Sequence, residues 1–404
     1  MSKNNLIAAL DIGTHTVKLL LVNKKKEEEK PEVITLVQEP SFGVRRGVVI
    51  KPETVSEIIR IIVDKIKSET GRKINSVYLN IGGSHLFSTS SRGTVSVSRA
   101  DGRVSREDVK RVIEAAKTFP LPFNREILEI IPKEFIIDGQ GEIKDVVGLQ
   151  GVRLETDVIA IGGFEPYKKN LVRAILDCDL QILDIIPSAI SAAIAVLSPR
   201  QKELGVCLLD IGGGTTSLAV FEEGNLTYLS VLPMGSANIT NDIAIALKTD
   251  VDTAEIIKIK LGSCILKGGW KKEKIEIEGE EPLIFSQKTL VRVIEARMAE
   301  IFQEVKKELK KIEKLGLLPA GIVLTGGGAN LPSIVELAKK EFKLPCRIGK
   351  PQNFPDLESN PNLATVCGLV MRGIELAEEN QRGPGFAPSG IKEKIKNFFK
   401  IFLP

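Results

Sequence analysis

The sequence contains few of the residues that build metal and disulfide frameworks. Its 404 residues include only two histidines and five cysteines, and no two cysteines have the spacing C-x-x-C. This pattern argues against a structural zinc site and against a disulfide framework. An odd number of scattered thiols is typical of a reducing compartment, where each cysteine packs as a small apolar side chain.

Several familiar active-site motifs are also absent. The only Gly-Lys pair, Gly349-Lys350, is followed by proline, and neither G-x-x-x-x-G-K-[ST] nor G-x-G-x-x-G occurs. P-loop and Rossmann nucleotide sites are therefore excluded. Because G-x-S-x-G is missing as well, a serine-hydrolase site has no support.

Apolar runs are short, and charge is nearly balanced over most of the chain. The first apolar run, residues 6–10, is too short for the core of a signal peptide. The most apolar long stretch, residues 180–197, contains a glutamine, an aspartate and a proline, which favours buried packing over a membrane span. Four lysines and one glutamate in residues 391–404 supply +3 of the net charge of +4. We therefore expect no nucleic-acid partner for the nearly neutral body.

The clearest feature that is present is an internal repeat. Residues 6–22 and 206–220 share one pattern, in which an apolar strand leads to Asp-Ile-Gly, a threonine-rich tip and a second strand. The pattern is typical of a buried β-hairpin. At 404 residues the chain has the length of two to three domains, and the repeat indicates two similar halves.

The segments between and after these hairpins predict further elements. Residues 82–163 resemble an inserted α+β module, with a strand at 94–98 and a helix that Ser105 caps. The apolar face of that helix comprises Val109, Val112, Ile113 and Ala116. In the second half, the spacing predicts a long amphipathic helix over 289–315.

A strand, a glycine-rich loop and a helix are predicted in that order near the end of the second half. The strand covers residues 320–325, the loop covers 326–330, and the helix begins at Pro332. Glycine and proline in residues 383–390 then predict a flexible linker.

The two Asp-Ile-Gly turns have the composition of a phosphate and metal site. A carboxylate at the end of a buried strand, followed by glycine amides and hydroxyls, suits a polyphosphate with Mg²⁺. We expect Asp11 and Asp210 to hold the ion through water. The residues predicted to line the phosphates are Gly13, Thr14, His15 and Thr16 on one side, and Gly212, Gly213, Gly214, Thr215 and Thr216 on the other. Lys18 is a further candidate, unless it points to solvent as strand lysines commonly do.

A third loop completes the candidate nucleotide site. Gly326, Gly327, Gly328 and Ala329 lie between a predicted strand and a predicted helix. Glycine there allows a flat adenine or ribose to approach the backbone closely.

Together these three loops resemble the phosphate-1, phosphate-2 and adenosine motifs of the actin, DnaK-chaperone and sugar-kinase superfamily. Residues 234–244, residues 254–262, the insert after Gly83 and the basic tail further resemble the FtsA family of bacterial cell-division proteins. The resemblance implies an α/β, actin-like ATPase fold, in which two duplicated halves surround a nucleotide cleft. An inserted α+β subdomain and a C-terminal amphipathic helix are added to that fold.

The resemblance also implies subdomain boundaries. They are 1A at 1–83 and 164–203, 1C at 84–163, 2A at 204–235 and 312–361, 2B at 236–311, a return helix at 362–382, a linker at 383–390 and a membrane helix at 391–404.

The resemblance implies ATP and Mg²⁺ as cofactors, with Glu255 and Lys258 at the adenosine end. The alternative for these two residues is an exposed helical pair. Chaperone relatives carry a Glu-Pro pair where this chain has Ile186-Pro187. We therefore expect at most slow ATPase activity, with ATP acting as a conformational and polymerisation ligand.

The C-terminal segment reads as a basic amphipathic helix. Its apolar face comprises Ile391, Ile395, Phe398, Phe399 and Phe402, and its lysines include Lys392, Lys396 and Lys400. Thirteen helical residues span about 20 Å, so the segment can lie in a membrane interface but cannot cross about 30 Å of hydrocarbon. The alternative is a terminal helix that packs on the body.

As a member of that family, the chain is expected to polymerise and to anchor the FtsZ ring to the cytoplasmic face of the membrane at the division site. The expected partners are the FtsZ C-terminal peptide, further copies of the chain, an anionic membrane surface, and other division proteins through 1C. Arg297 and Glu300 on the long helix are candidates for the FtsZ contact. The alternatives are a PilM-like pilus-assembly protein and a sugar or metabolite kinase of the same superfamily.

Overall fold

The computed structural model describes residues 6–24, 30–266, 268, 272–275, 282–355, 357 and 360–381. Within these ranges, no helix combines the length and the apolar character that crossing a bilayer requires.

The described part of the chain contains eighteen β-strands and ten α-helices. The strands are β1 (Leu6–Ile12), β2 (Thr16–Asn23), β3 (Glu32–Pro40), β4 (Val44–Arg45), β5 (Val48–Val49), β6 (Ser76–Ile81), β7 (Phe87–Ser96), β8 (Arg125–Ile137), β9 (Gln140–Ile143), β10 (Arg153–Phe164), β11 (Gln181–Pro187), β12 (Val206–Ile211), β13 (Thr216–Glu222), β14 (Asn225–Leu232), β15 (Lys272–Ile275), β16 (Leu283–Ser286), β17 (Ile322–Thr325) and β18 (Cys346–Ile348). The α-helices are α1 (Pro52–Thr70), α2 (Arg106–Ala116), α3 (Glu165–Leu176), α4 (Ser188–Val196), α5 (Pro199–Leu204), α6 (Ser236–Leu247), α7 (Val251–Leu261), α8 (Gln287–Lys311), α9 (Ile334–Phe342) and α10 (Ala364–Gln381).

The first half is built on a five-stranded sheet in the order β11-β6-β1-β2-β3. β1 and β2 form the predicted hairpin, with Leu6 opposite Asn23 and Ile12 opposite Val17. The apolar stretch at 180–197 forms β11 and the buried helix α4, as its composition predicted. Helix α10 packs on β1, β6 and α4, so the last described helix returns to the first half.

The second half contains the second predicted hairpin. β12 and β13 pair antiparallel from Val206 opposite Phe221 to Ile211 opposite Thr216, and β17 lies parallel to β12. Their sheet has nine strands in the order β18-β17-β12-β13-β14-β7-β10-β8-β9.

The inserted module contributes the last four strands of that nine-stranded sheet. β7 pairs with β14 through Phe87 and Ser230, and Ser88 Oγ donates to Leu229 O at 2.9 Å. The sequence did not predict this junction between the insert and the second half.

The insert has the predicted α+β composition and its own small core. Ser105 and Asp108 form a reciprocal capping box at the start of α2. The residues of α2 expected to face inward do so: Val112, Ile113 and Ala116 are buried, and Val109 packs against the same core. Residues 94–96 of the strand predicted at 94–98 form the end of a longer strand, β7, which stops at Ser96.

The long helix of the second half ends earlier than predicted. α8 stops at Lys311 because Glu313 adopts a left-handed conformation, with φ of 58°, before Gly316 is reached. The helix predicted from Pro332 likewise begins only at Ile334, since Ser333 is left-handed, with φ of 62°. Glu313 and Ser333 thus adopt turn conformations that the spacing of apolar residues does not predict.

Candidate functional site

The three glycine-containing loops surround one cavity of about 370 Å³. Most of the residues predicted to bind nucleotide line it. They are Asp11, Gly13, Thr14, His15, Thr16, Lys18, Asp210, Gly212, Gly213, Thr215, Glu255, Lys258, Gly326, Gly327 and Gly328. The structure therefore brings together residues that lie more than 300 positions apart in the chain.

The two Asp-Ile-Gly turns have the same local geometry. Gly13 N–H donates to Thr16 O at 3.0 Å, and Gly212 N–H donates to Thr215 O at 2.8 Å. A Cβ atom on Gly213 would lie 3.0 Å from His15 Cβ, so the tips of the two turns are in contact. A side chain at this position would require His15 to shift by a few tenths of an ångström.

Three predicted residues lie behind the cavity wall instead of on it. Gly214 packs against Thr14, because its Cβ position is 2.8 Å from Thr14 Cγ2. Thr216 is fully buried and its hydroxyl donates to Met234 O at 2.9 Å. Ala329 is buried in the core of the second half. These residues shape the loops, whereas their neighbours face the cavity.

Asp11 is held by two polar neighbours. Lys18 lies directly opposite it in the β1–β2 hairpin, and Lys18 Nζ is 3.2 Å from Asp11 Oδ2. Asn80 Nδ2 donates to Asp11 Oδ1 at 2.8 Å, while Asn80 Oδ1 accepts from Ile12 N–H at 2.7 Å. Lys18 is only 4% exposed, which decides between its two predicted orientations in favour of the cavity.

Asn80 and Ser188 belong to the site but were not predicted from the sequence. Asn80 Nδ2 also donates to Ser188 Oγ at 3.1 Å, which joins β6 to the start of α4. The only available signal was an asparagine inside the otherwise apolar strand Ser76–Ile81, since a buried amide there needs polar partners.

Asp210 lies in a different electrostatic environment. Burial, and next the charge of Asp11, raise the pKa of its carboxyl to about 6, while Lys18 and a hydrogen bond from Thr365 oppose the shift. Thr365 Oγ1 donates to Asp210 Oδ2 at 3.3 Å. A cation near these two carboxylates would favour their charged forms.

The donor set suits a magnesium ion that keeps most of its water. Among the described residues, no group of three or more His, Cys, Asp or Glu side chains could hold a metal. Two carboxylates plus water and phosphate oxygens are the usual ligands of Mg²⁺ beside a nucleotide.

Glu255 and Lys258 form a largely buried pair on α7. Lys258 Nζ donates to Glu255 Oε2 at 2.6 Å, to Thr240 Oγ1 at 2.8 Å and to Ser236 O at 3.3 Å. Burial acts to raise the pKa of Glu255, but hydrogen bonds from Lys258 and Thr240 outweigh it and hold that pKa below its usual value. The alternative of an exposed helical pair is therefore wrong for these residues.

Arg297 on α8 is engaged within the protein. Its guanidinium donates to both carboxylate oxygens of Asp242 on α6, at 2.5 and 2.9 Å, and to Glu300 Oε2 at 2.6 Å. Glu300 is about half exposed. Asp242 was not predicted, because the pair joins two helices that are distant in sequence.

The residues predicted to bind the membrane lie outside the described residues. They are Ile391, Lys392, Ile395, Lys396, Phe398, Phe399, Lys400 and Phe402.

Family models match two parts of the chain. Residues 207–368 match "Cell division protein FtsA", and residues 83–161 match "SHS2 domain inserted in FTSA". The second match covers the inserted module that contains β7 to β10.

Proteins from several bacteria are similar to nearly the whole chain. "Cell division protein FtsA" of Pseudomonas aeruginosa is 35% identical over 93% of this chain and 91% of its own length. The protein of the same description from Neisseria meningitidis serogroup B is 36% identical over 97% of this chain and 98% of its own length.

Solved structures share the fold at lower identity. The "PilM-PilN type IV pilus biogenesis complex" has a TM-score of 0.64 at 17% identity, covering 91% of this chain and 98% of that one. MreB5 of Spiroplasma citri bound to ADP has a TM-score of 0.58 at 16% identity, covering 93% and 99%. These likenesses establish the predicted actin-like fold, and the much higher identity to FtsA favours that family over a PilM-like one. The chain belongs to the FtsA family of bacterial cell-division proteins.

Proposed function

We propose that this cell-division protein binds ATP with Mg²⁺ between its two Asp-Ile-Gly turns. The observation that supports the proposal is the contact between the two turns, each closed by the same backbone hydrogen bond and each preceded by a strand whose penultimate residue is aspartate. Backbone amides, hydroxyls and paired carboxylates are the groups that hold a metal-bound polyphosphate.

The third loop and the Glu255–Lys258 pair would hold the nucleoside. Gly326 adopts φ of 82°, and a Cβ there would lie 2.2 Å from Asp210 Oδ1. A Cβ at Gly328 would lie 2.4 Å from Ile211 Cγ2, whereas at Gly327 the nearest atom is 3.5 Å away. Gly327 is thus the position at which a side chain can be added without a clash in the loop itself.

The bound nucleotide would act as an assembly ligand with slow turnover at most. Ile186 precedes Pro187 where an attacking water would need a carboxylate to orient it. Asp11 and Asp210 are committed to the ion in this proposal, and Glu255 is hydrogen-bonded by Lys258.

We further propose that the protein polymerises and tethers FtsZ to the cytoplasmic face of the membrane at the division site. The basic amphipathic segment 391–404 would lie in the membrane interface. The FtsZ C-terminal peptide would dock on the 2B region, with Arg297 and Glu300 as candidate contacts.

Calorimetric titration with Mg-ATP tests the nucleotide site. Gly327→Glu should abolish binding because it places a charged side chain in the nucleoside region, and Asp210→Ala should abolish it by removing a carboxylate from the metal site. Asp64→Ala, which changes an exposed aspartate of α1, is the control and should bind as the unaltered protein does.

Unchanged affinity in both cavity variants would contradict the proposed site. A phosphotransfer screen separates the remaining alternative, since a sugar or metabolite kinase would transfer phosphate to a small molecule and an assembly protein would not.

A further inference from the structure

A small β-hairpin packs against the end of the cavity that the two Asp-Ile-Gly turns form. β4 and β5 are joined by the two-residue turn Arg46-Gly47, and Arg45 lies opposite Val48. Both turn residues have positive φ, 49° for Arg46 and 73° for Gly47. Positive φ at both positions is the geometry of a type I′ turn, in which Asn-Gly is the preferred sequence.

The tip of this hairpin touches both phosphate loops. Gly47 N–H donates to Thr14 Oγ1 at 2.8 Å, and Gly47 lines the cavity. A Cβ on Gly214 would lie 3.2 Å from Arg46 Cα, so the backbone of Arg46 packs against the second loop. The turn therefore lies beside the two loops that would hold the phosphates of a bound nucleotide.

The charges that line the cavity leave a triphosphate under-neutralised. Three carboxylates (Asp11, Asp210 and Glu255) and two lysines give a formal charge of −1. Each of these lysines is already paired, Lys18 with Asp11 and Lys258 with Glu255.

Arg46 provides a positive charge beside the cavity that is not committed elsewhere. Its side chain is exposed and has no ion pair with any other described residue. A guanidinium presents a planar set of donors that matches phosphate oxygens.

Building on the proposed nucleotide site, we infer that Arg46 contacts the terminal phosphate and makes the site prefer a nucleoside triphosphate over a diphosphate. Its backbone packs against Gly214, and the neighbouring Gly47 is held by Thr14 and lines the cavity, so this contact requires the exposed Arg46 side chain to extend past Gly47. The occupancy of the terminal phosphate position would thereby be sensed by the β4–β5 hairpin.

Arg46→Asn is the decisive variant. It removes the charge and creates Asn-Gly, which suits the type I′ turn, so the hairpin should be retained or stabilised. We expect Mg-ATP affinity to fall roughly tenfold, the loss of one charge-assisted contact. Mg-ADP affinity should change less than about twofold, so the ATP-to-ADP affinity ratio falls. Arg46→Lys should restore part of the ratio.

Arg45→Gln is the matched control, because it removes the same charge one residue earlier in the same hairpin. It should leave both affinities unchanged, and a thermal melt should show that every variant folds. An unaltered ATP-to-ADP ratio in Arg46→Asn overturns the inference, as does an equal fall in the Arg45→Gln ratio. If the unaltered protein binds neither nucleotide, the proposed site itself is wrong, and the role of Arg46 falls with it.

Discussion

Lys18 lies opposite Asp11 in the first hairpin, whereas Ser217 occupies the matching position opposite Asp210 in the second. The equivalent aspartates of the two duplicated halves therefore have different neighbours across their hairpins. Within the described ranges, Asp11 has a cation 3.2 Å away, while Asp210 receives only a weak hydrogen bond from Thr365. The asymmetry explains why the pKa of Asp210 rises to about 6 under burial and the field of Asp11.

We predict that Asp210→Asn stabilises the nucleotide-free protein at neutral pH while abolishing magnesium-dependent nucleotide binding. The folded protein holds a proton on Asp210 up to about pH 6, whereas the unfolded chain releases it near pH 4. The folded state therefore loses stability as the pH rises through this window. At pH 8 the substitution should add about 1–3 kcal/mol to the free energy of unfolding.

Denaturant melts of the two proteins at pH 5 and pH 8 check this prediction. The difference between them should be about half as large at pH 5 as at pH 8, because pH 5 lies midway between the pKa values of the unfolded and folded states. A difference that does not change with pH would show that the charge of Asp210 carries no penalty.

His85 lies just before β7 and is hydrogen-bonded to the end of β10, where the chain enters and leaves the insert. Its Nδ1 accepts from Phe164 N–H at 3.1 Å, and its ring packs edge-on against Tyr167 at 5.2 Å. Burial lowers the pKa of His85 to about 4, against a raising effect of its hydrogen bond with Gly82. The folded protein therefore keeps this imidazole neutral at physiological pH.

From this pKa we predict an acid sensitivity of the native state. Between pH 6.5 and about 4, His85 is protonated in the unfolded chain but neutral in the folded protein. The free energy of unfolding therefore falls by up to about 3 kcal/mol as the pH drops through this range. His85→Gln should reduce this pH dependence in denaturant melts. His15→Gln, which changes the other histidine of the sequence, is the control and should keep it.

The internal pairing of Arg297 leads to a prediction about the FtsZ peptide. If the peptide carboxylates contact Arg297, they compete with Asp242 for its guanidinium. Asp242→Asn should therefore tighten peptide binding several-fold, whereas charge reversal at Arg297 and Glu300 should abolish it. Fluorescence anisotropy with a labelled FtsZ C-terminal peptide measures both effects, and intact binding after the double charge reversal would move the site elsewhere.

The tail should anchor the protein through many weak contacts. A buried phenylalanine contributes roughly 1.5–3 kcal/mol and each lysine near an anionic surface about 1 kcal/mol, but ordering the helix offsets much of this. We therefore expect reversible binding of single copies and firm attachment of polymers. Phe398→Glu with Phe399→Glu should release the protein from anionic liposomes and leave ATP affinity unchanged.

Local sequence patterns predicted the parts of the site that depend on local chemistry. The repeated Asp-Ile-Gly turns and the Thr325-Gly-Gly-Gly loop predicted the hairpins and the cavity. Glycines at these positions indicate tight turns and close approach of the backbone, which are local properties of the chain. The contacts of Asn80 with Asp11, and of the Arg46 backbone with Gly214, depend on how distant segments pack. The same is true of the junction between Phe87 and Ser230, which no periodicity encodes. The subdomain boundaries stay predictions.

Co-sedimentation of FtsZ with anionic liposomes measures whether the protein tethers FtsZ to a membrane under nucleotide control. We predict that the unaltered protein carries FtsZ into the liposome pellet with Mg-ATP. Gly327→Glu should carry much less, and a chain ending at residue 390 should carry none at matched protein concentration. Recovery of FtsZ that is independent of both the nucleotide and residues 391–404 would show that this protein is not a nucleotide-controlled membrane tether.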